Sequence, residues 1–416
     1  MQRLFCALVL ALACVAAAPV AAQARTRLDA RVDALTPRML LTRTAPGLVD
    51  PDRQRRARSI ADLRHLAAAG WGLAQVLAFW WYWRSGTAAR VRDMVRRRTR
   101  NRVVHRAVFG ASLGFISALA ALPFAFSSYR ISFAVGVTHQ LASQWLLGYL
   151  GRFVVDAFFG ALIVVVVLGL VGRTHLWYLI VTGLLLVGAV GGAMVAPLLP
   201  FGAPHKTTPH ALSAQAAREA ARLGVPGTPV IMVATARRSG SMRIAATGIG
   251  PTGEVSVADA ALDHLTPPEV AAALDHADAD IQRGDNLRQT LAAAILFIVS
   301  CALAVLLSDR VGFRRDDDVL SRLALVATLL GVVMIVIYPI YTAYHRSLQT
   351  AADERALAAG ADRVATARLF VREADDALEP LCGRRTVRWY FEDTAPLGAR
   401  IARAAGTADP CPGTSI

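Results

Sequence analysis

The chain has 416 residues, of which 55% are hydrophobic and 18% are charged, and its formal net charge is +15. This composition excludes an ordinary soluble domain, in which about a quarter of the residues are charged, and favours a membrane protein. The net charge does not indicate nucleic-acid binding, because nine arginines crowd into residues 84–106 between two apolar segments. A short arginine-rich loop of this kind is typical of the cytoplasmic side of a membrane protein.

The first apolar segment has the features of a signal peptide. It occupies residues 4–22, follows Arg3 and ends in Ala22-Gln23-Ala24, the A-x-A pattern that precedes cleavage. We therefore predict a signal peptide over residues 1–24. Retention of the same segment as a first transmembrane helix is the alternative.

Six later segments are long and apolar enough to span a bilayer. They are residues 66–83, 107–126, 153–171, 176–199, 291–308 and 323–344. With the arginine loop inside, alternation places residues 25–65, 127–152, 200–290 and 345–416 on the outer side. Lys206 is the one lysine, and the preference for arginine together with the alanine content indicates a GC-rich bacterial genome. We predict a bacterial inner-membrane protein whose larger hydrophilic regions face the periplasm.

The hydrophilic region after the fourth span predicts a small α+β unit. Its pattern indicates a helix at 211–223 and strands at 230–234, 244–249 and 254–257. Asp263 or Thr266 is expected to cap the helix that follows. Two more helices are predicted after the last span, at 351–360 and 364–374, and Pro123 is expected to stop or kink the second span. The predicted fold class is therefore mainly α, a polytopic membrane protein with about six transmembrane helices and this small mixed unit.

The helix at 269–280 contains an incomplete zinc-protease pattern. In H-E-x-x-H, two histidines on one helical face bind zinc, and the glutamate between them is the general base. Here His276 is the first histidine, Ala277 stands at the base position and Asp280 stands at the second ligand position. Taken alone, the stretch is better explained as a polar helix face than as a remnant of a metal site.

Other short motifs lie before and after this helix in the sequence. They are Leu122-Pro123-Phe124, Tyr129, residues 136–140, residues 195–199, Arg237-Arg238-Ser239, residues 259–262, residues 348–353, Trp389, residues 394–397 and Arg400-Ile401. In order and spacing, from about residue 45 to 403, the sequence resembles the type I CAAX prenyl protease family. That family consists of integral-membrane zinc metalloproteases of the gluzincin (zincin-like) kind.

The resemblance implies a site whose chemistry is degenerate. The third zinc ligand of the family is a glutamate, and Gln349 stands at that position here, whereas the family's nearby aspartate is kept as Asp353. The asparagine and histidine that support the substrate correspond to Arg243 and Thr394. Of the three zinc ligands only His276 remains. The family binds zinc, but for this chain we expect no cofactor and no peptidase activity.

The resemblance also implies how the chain is divided and what it binds. Residues 25–200 are expected to form an N-terminal membrane domain with four transmembrane helices. Residues 201–416 form a peptidase-like domain that includes the last two spans and a C-terminal tail. The expected partners are the lipid bilayer and a peptide or protein ligand in the membrane chamber, with no nucleic acid.

Two alternatives to an inactive protease homologue remain open. The first is an active, divergent metallopeptidase that uses His276, Asp280 and a third group such as Asp353 or His264. The second is an unrelated membrane transport or scaffold protein, although the spans lack the charged residues expected of a coupled transporter, with Asp156 almost alone. Separately, Cys382 and Cys411 lie in the outer tail and are expected to form a disulfide, or else to remain as two free thiols.

Overall fold

A computed structural model of the protein describes residues 30–171, 177–196, 205–235, 242–311 and 319–411. Within these ranges the fold is mainly helical and includes a small four-stranded sheet. The predicted signal peptide at 1–24 lies outside the described residues. The architecture confirms the predicted fold class, a polytopic mainly α protein with a small mixed unit.

Long helices make up the first half of the chain. They are α1 (Pro37–Thr42), α2 (Pro51–Arg84), α3 (Thr87–Arg98), α4 (Arg102–Ala134), α5 (Ala142–Val171) and α6 (Trp177–Val195). Pro123 does not stop α4, which continues for eleven residues beyond it, and membrane helices tolerate such an internal proline. Helix α5 begins well before the predicted span at 153–171. Most of residues 127–152, which were placed on the outer side, are therefore helical, and Arg152 lies inside a helix.

The second half contains the sheet and the remaining helices. Its elements are β1 (His205–Lys206), α7 (His210–Arg222), β2 (Val230–Val233), β3 (Ile244–Thr247), β4 (Glu254–Ala258), α8 (Asp259–His264), α9 (Pro267–Arg283), α10 (Asp285–Arg310), α11 (Val319–Ala358), α12 (Arg363–Asp376), α13 (Arg385–Phe391) and α14 (Leu397–Ala405). The separate helix predicted at 351–360 is the end of the 40-residue α11. No strong helix breaker stands between Pro339 and Gly360, whose φ of +94° lies in the left-handed region.

Five helices in the described part of the chain are long and apolar enough to cross a membrane: α4, α5, α6, α10 and α11. They correspond to five of the six predicted spans. The sixth, at 66–83, lies in α2 and is less apolar because Gln75 and the aromatic run at 80–83 interrupt it. Helix α2 nevertheless runs antiparallel beside α4, with Gly70 against the Phe124 ring and the Tyr82 hydroxyl 2.8 Å from Ser112 Oγ. Six helices therefore lie side by side.

The ends of these helices form two groups. At one end, Tyr82, Phe109 and Leu320 pack together beside the arginine-rich α3. At the other end, Ala57 of α2 packs with Val135 and Leu378. The arginine loop and the C-terminal helices thus occupy opposite ends of the bundle.

The sheet has the strand order β1-β2-β4-β3, with β2 and β4 parallel and the other two pairs antiparallel. One face carries the buried Val255 and Val257, which pack against α7 and α9. Because side chains alternate along a strand, Glu254 and Ser256 point to the opposite face. Strands β2, β3 and β4 confirm the predicted strands, whereas the two-residue β1 was not predicted.

Helix α9 is fixed at its N-terminus by a capping box. The backbone N–H and the hydroxyl of Thr266 each donate to Glu269 Oε2 at 2.7 Å, so Thr266 rather than Asp263 is the cap. The other oxygen of Glu269 accepts from Arg372 Nε at 3.1 Å, and Arg372 also pairs with Asp33 at 2.6 Å. The N-terminal segment is thereby tied to the start of α9.

That N-terminal segment, residues 30–50, packs on the last helices of the chain. Val32, Leu40 and Leu48 share a buried cluster with Phe370 of α12 and Ile401 of α14. Arg31 pairs with Asp375, and Arg53 Nε donates to the Asp375 carbonyl at 2.7 Å. The two ends of the described chain therefore form one core.

Candidate functional site

Helices α9 and α11 bring four of the predicted site residues together. His276 and Asp280 lie one turn apart on α9, and Gln349 and Asp353 lie one turn apart on α11. His276 Nε2 is 3.0 Å from Gln349 Oε1, and His276 Nδ1 is 2.8 Å from Asp353 Oδ1. Both ring nitrogens of the surviving histidine therefore face an oxygen atom of α11.

Asp353 is held from its other side by an arginine of α14. Arg400 donates from Nε and Nη2 to the two carboxylate oxygens, each at 2.8 Å, and its guanidinium lies 4.0 Å from the centre of the Phe370 ring. Burial lowers the pKa of Arg400, but the carboxylates of Asp353, Glu373 and Asp280 together raise it by more, so the net pKa is above its ordinary value. The pair is a buried, bidentate ion pair.

His276 carries a positive charge more readily than an ordinary histidine. Burial lowers its pKa, but the carboxylates of Asp353 and Asp280 raise it by more, and the net shift is upward. The imidazolium form has an N–H on each ring nitrogen, so it can donate to Gln349 and at the same time form an ion pair with Asp353. Arg400, Asp353 and His276 thus form a continuous line of alternating charge.

Asp280 lies beside this line without completing it. Its Oδ2 atom is 3.6 Å from His276 Nε2, and its buried Oδ1 has no hydrogen-bond partner among the described residues. Burial raises the pKa of this carboxyl. Asp280 Oδ1 is therefore incompletely satisfied, as is His276 Nδ1, whose contact with Asp353 is an ion pair without hydrogen-bond geometry.

The donor set does not fit a zinc ion. The imidazole nitrogen that a metal would take, His276 Nε2, faces the amide oxygen of Gln349, which is a poor zinc ligand compared with carboxylate, imidazole or thiolate. Asp353 is committed to Arg400. In the ranges that the structure describes, no three His, Cys, Asp or Glu side chains, His264 included, form a group that could hold a metal ion.

The side chains at the predicted base and substrate positions do not join the four grouped residues. Ala277 is fully buried in the core beneath the sheet, in the cluster of Val255 and Leu274, and its methyl group can accept no proton. Arg243 precedes β3 and Thr394 follows α13, and both are exposed. Neither makes a hydrogen bond to the four grouped residues in the described part of the chain.

Sequence reasoning missed the role of Arg400 and anticipated the cysteine pair. Arg400 was noticed as part of an Arg-Ile motif, but its partner Asp353 is 47 residues away, and no local pattern shows such a pairing. The structure joins Cys382 and Cys411 in a disulfide with an S–S distance of 1.96 Å. This bond fixes the C-terminal tail beside α14.

A cavity of about 630 Å³ lies on the opposite face of the sheet from α9. Its walls come from Glu254 and Ser256 of β4, the alanines of α6, the start of α10 and Tyr341 of α11. Gln289 of α10 donates to the Tyr341 hydroxyl at 2.8 Å. A cavity of this size, with an apolar helical wall and a polar wall, is typical of small-ligand sites.

Comparison with known proteins gives the family. Residues 207–406 match peptidase family M48, and no curated protein sequence matches the chain. The crystal structure of S. mikatae Ste24p is similar, with a TM-score of 0.69 at 15% sequence identity, over 92% of this chain and 96% of that one. At this identity the likeness shows the fold. Residues 207–406 therefore form a domain of peptidase family M48, and the chain has the multi-pass membrane fold of Ste24p.

Proposed function

We propose that this protein is a catalytically inactive member of the M48 family that is kept as a membrane scaffold or ligand-binding chamber. The observation that carries the proposal is the bond between His276 Nε2 and Gln349 Oε1 at 3.0 Å. The one remaining ligand nitrogen is engaged by the neutral side chain that stands at the third ligand position. The family match makes the alternative of an unrelated membrane protein wrong.

The missing base supports the same proposal independently of the metal. Ala277 cannot accept a proton from a water molecule, and loss of a general base typically costs about 10²–10⁴-fold in rate. Asp278 is one residue further along α9, hence rotated by roughly 100° about the helix axis, and cannot replace it. Loss of the metal would also remove the activated water that serves as nucleophile.

The chain of ion pairs joins three helices, as a bound metal would do through its ligands. Arg400, Asp353 and His276 belong to α14, α11 and α9 respectively, and all three side chains are largely buried. Removing one member of such a buried pair is strongly destabilising, because the partner charge is left uncompensated. The fold can therefore keep its shape around this centre without a metal, as a scaffold requires.

A divergent active metallopeptidase is the second candidate, and one observation favours it. Asp280 lies 3.6 Å from His276 Nε2 and has a buried oxygen without a partner. A carboxylate and an imidazole one turn apart can share a divalent ion. A third ligand would then require Gln349 or Asp353 to leave its present partner.

Metal content and peptidase activity of the purified full chain test the proposal. We expect far less than one zinc per chain by elemental analysis, and no cleavage of an unstructured peptide library with or without a chelator. His276→Ala is the matched control, because it removes the last intact ligand. About one zinc per chain and chelator-sensitive cleavage, both lost in His276→Ala, would establish the second candidate instead.

The location of the site is a further part of the proposal. The arginine-rich α3 supports a cytoplasmic position for its end of the bundle, so the sheet and the C-terminal helices face the periplasm of a bacterial inner membrane. Residues 1–24 are removed as a signal peptide, residues 25–200 form the membrane domain and residues 201–416 the peptidase-like domain. Alkaline phosphatase fused at Gly250 or Gly383 should be active and at Arg98 inactive. The reverse pattern would invert the orientation.

A further inference from the structure

An arginine–aspartate pair lies inside the membrane helices, outside the region that matches the M48 family. Arg152 and Asp156 are one turn apart on α5, and Arg152 Nε donates to Asp156 Oδ2 at 3.3 Å. Helix α5 is one of the five candidate membrane spans. Charged side chains within such spans are costly and usually mark a functional site.

The contacts of the pair with α4 give its depth. The Asp156 carbonyl packs against Gly114, where an added Cβ would lie 2.0 Å from it, and the Tyr149 hydroxyl donates to the Ala118 carbonyl at 2.8 Å. Ala118 is the central residue of the 33-residue α4, and it also lies within the apolar segment at 107–126. A bilayer has a hydrocarbon core of about 30 Å, so the pair is level with the hydrocarbon.

Aromatic and polar side chains surround the guanidinium. Its Cζ atom lies 5.7 Å from the centre of the Trp71 ring and 5.8 Å from that of Tyr149. Nearby, Ser117 Oγ donates to Gln75 Oε1 at 3.0 Å. The cluster therefore joins α2, α4 and α5 through polar groups beside the apolar part of α4.

The guanidinium is open on its outer edge. The side chains of Arg152 and Asp156 are 41% and 27% exposed, and Trp71 is 43% exposed. Neither terminal nitrogen of Arg152 has a hydrogen-bond acceptor among the described residues. The Asp156 carboxylate accepts from Arg152 Nε and fixes the orientation of the fork. The two terminal nitrogens thus present a free bidentate edge of the kind that matches carboxylate or phosphate oxygens.

We propose that Arg152, oriented by Asp156 and flanked by Trp71 and Tyr149, binds the anionic head of an amphiphile with an apolar chain inside the membrane domain. The carboxylate of a fatty acid and the phosphate of an anionic phospholipid share this chemistry. The chain of the ligand would lie along the exposed indole of Trp71. The site is independent of whether the His276 centre is active, because none of its residues belongs to the M48 match.

Binding to the purified full chain in a neutral maltoside detergent tests the proposal. Native mass spectrometry would measure the affinity for oleate, for phosphatidylglycerol and for the neutral oleamide. We expect one bound oleate or phosphatidylglycerol, at least about tenfold weaker binding in Arg152→Gln, and intermediate binding in Arg152→Lys. Arg130→Gln, at the end of α4, is the matched control and should bind as wild type does. Binding of only one of the two anions would show whether the site takes a fatty-acid carboxylate or a phospholipid phosphate.

Equal affinity of wild type and Arg152→Gln, or equal binding of oleate and oleamide, would overturn the proposal. If Arg152→Gln does not fold, fluorescence on wild type decides. Stearate with a nitroxide near its carboxylate should quench Trp71, and the quenching should be smaller in Trp71→Phe and be reversed by oleate. The same quenching in both proteins would contradict the site.

Discussion

Asp278 should make the stability of this protein fall with increasing pH. It is 1% exposed, and its Oδ2 has no hydrogen-bond partner among the described residues. Burial, together with the carboxylates of Asp275 and Glu219, raises its pKa from 3.8 to about 7, although Arg222 opposes the shift. The folded protein therefore keeps a proton at pH values where the unfolded chain has lost it.

The direction and the size of the pH effect on the unfolding free energy follow from this difference in pKa. A carboxyl whose pKa is raised on folding contributes most to stability below the unfolded pKa, and that contribution is lost as pH rises towards the folded pKa. A tenfold change in a protonation equilibrium corresponds to about 1.4 kcal/mol. Above pH 7, Asp278 therefore lowers the free energy of unfolding by about 4 kcal/mol. Between pH 5 and pH 8 this effect grows by about 2–3 kcal/mol.

Asp278→Asn keeps the shape of the side chain and removes the titration. We expect this variant to be more stable than wild type at pH 8, with a clearly smaller advantage at pH 5, when thermal or denaturant unfolding is followed in detergent. Asp263→Asn on the exposed surface of α8 is the matched control and should show no such change. Parallel stability profiles for wild type and Asp278→Asn across this pH range would refute the reasoning.

Three further changes test the site and its surroundings. Arg400→Gln should lower the unfolding free energy by about 3–5 kcal/mol, because it leaves Asp353 buried without its partner, whereas the exposed Arg384→Gln should cost less than about 1 kcal/mol; equal melting curves for the two would contradict the ion-pair account. Cys411→Ser should cost roughly 3–4 kcal/mol in the chain-entropy account of a disulfide, and alkylation of two thiols in unreduced wild type would show that no bond forms. The combination Ala277→Glu, Asp280→His and Gln349→Glu should restore zinc binding by elemental analysis more readily than peptidase activity, because Arg243 and Thr394 still give the transition state poor support; a folded variant with no more zinc than wild type would contradict the placement of the site.

Local patterns in the sequence were sufficient where one element alone determines the structure. The apolar segments, the strands at β2 to β4 and the Thr266 cap all follow from residues within a few positions of each other. The grouping of His276 with Gln349 came from the family resemblance, since the two positions are 73 residues apart. Periodicity alone would not have brought α9 and α11 together.

Pairings between distant elements could not be predicted. Arg400 becomes the partner of Asp353 only when α14 packs beside α11. Arg152 was assigned to an outer loop because hydropathy falls where α5 begins, although Trp145 and Tyr149 continue the helix towards it. Helix α5 begins earlier than the predicted span because its aromatic residues contribute little to mean hydropathy but pack well against α4.

The packing of residues 30–50 on α12 and α14 has a consequence for synthesis of the protein. A ribosome makes this segment before the helices α2 to α11, yet Val32, Leu40 and Leu48 find their buried partners only in the last described hundred residues. Contacts between residues so distant in sequence form slowly, and apolar surface that waits for a partner is prone to aggregation. The segment must therefore stay soluble until the later helices have been made, and a chain that ends before α12 would leave its apolar side chains without their buried partners.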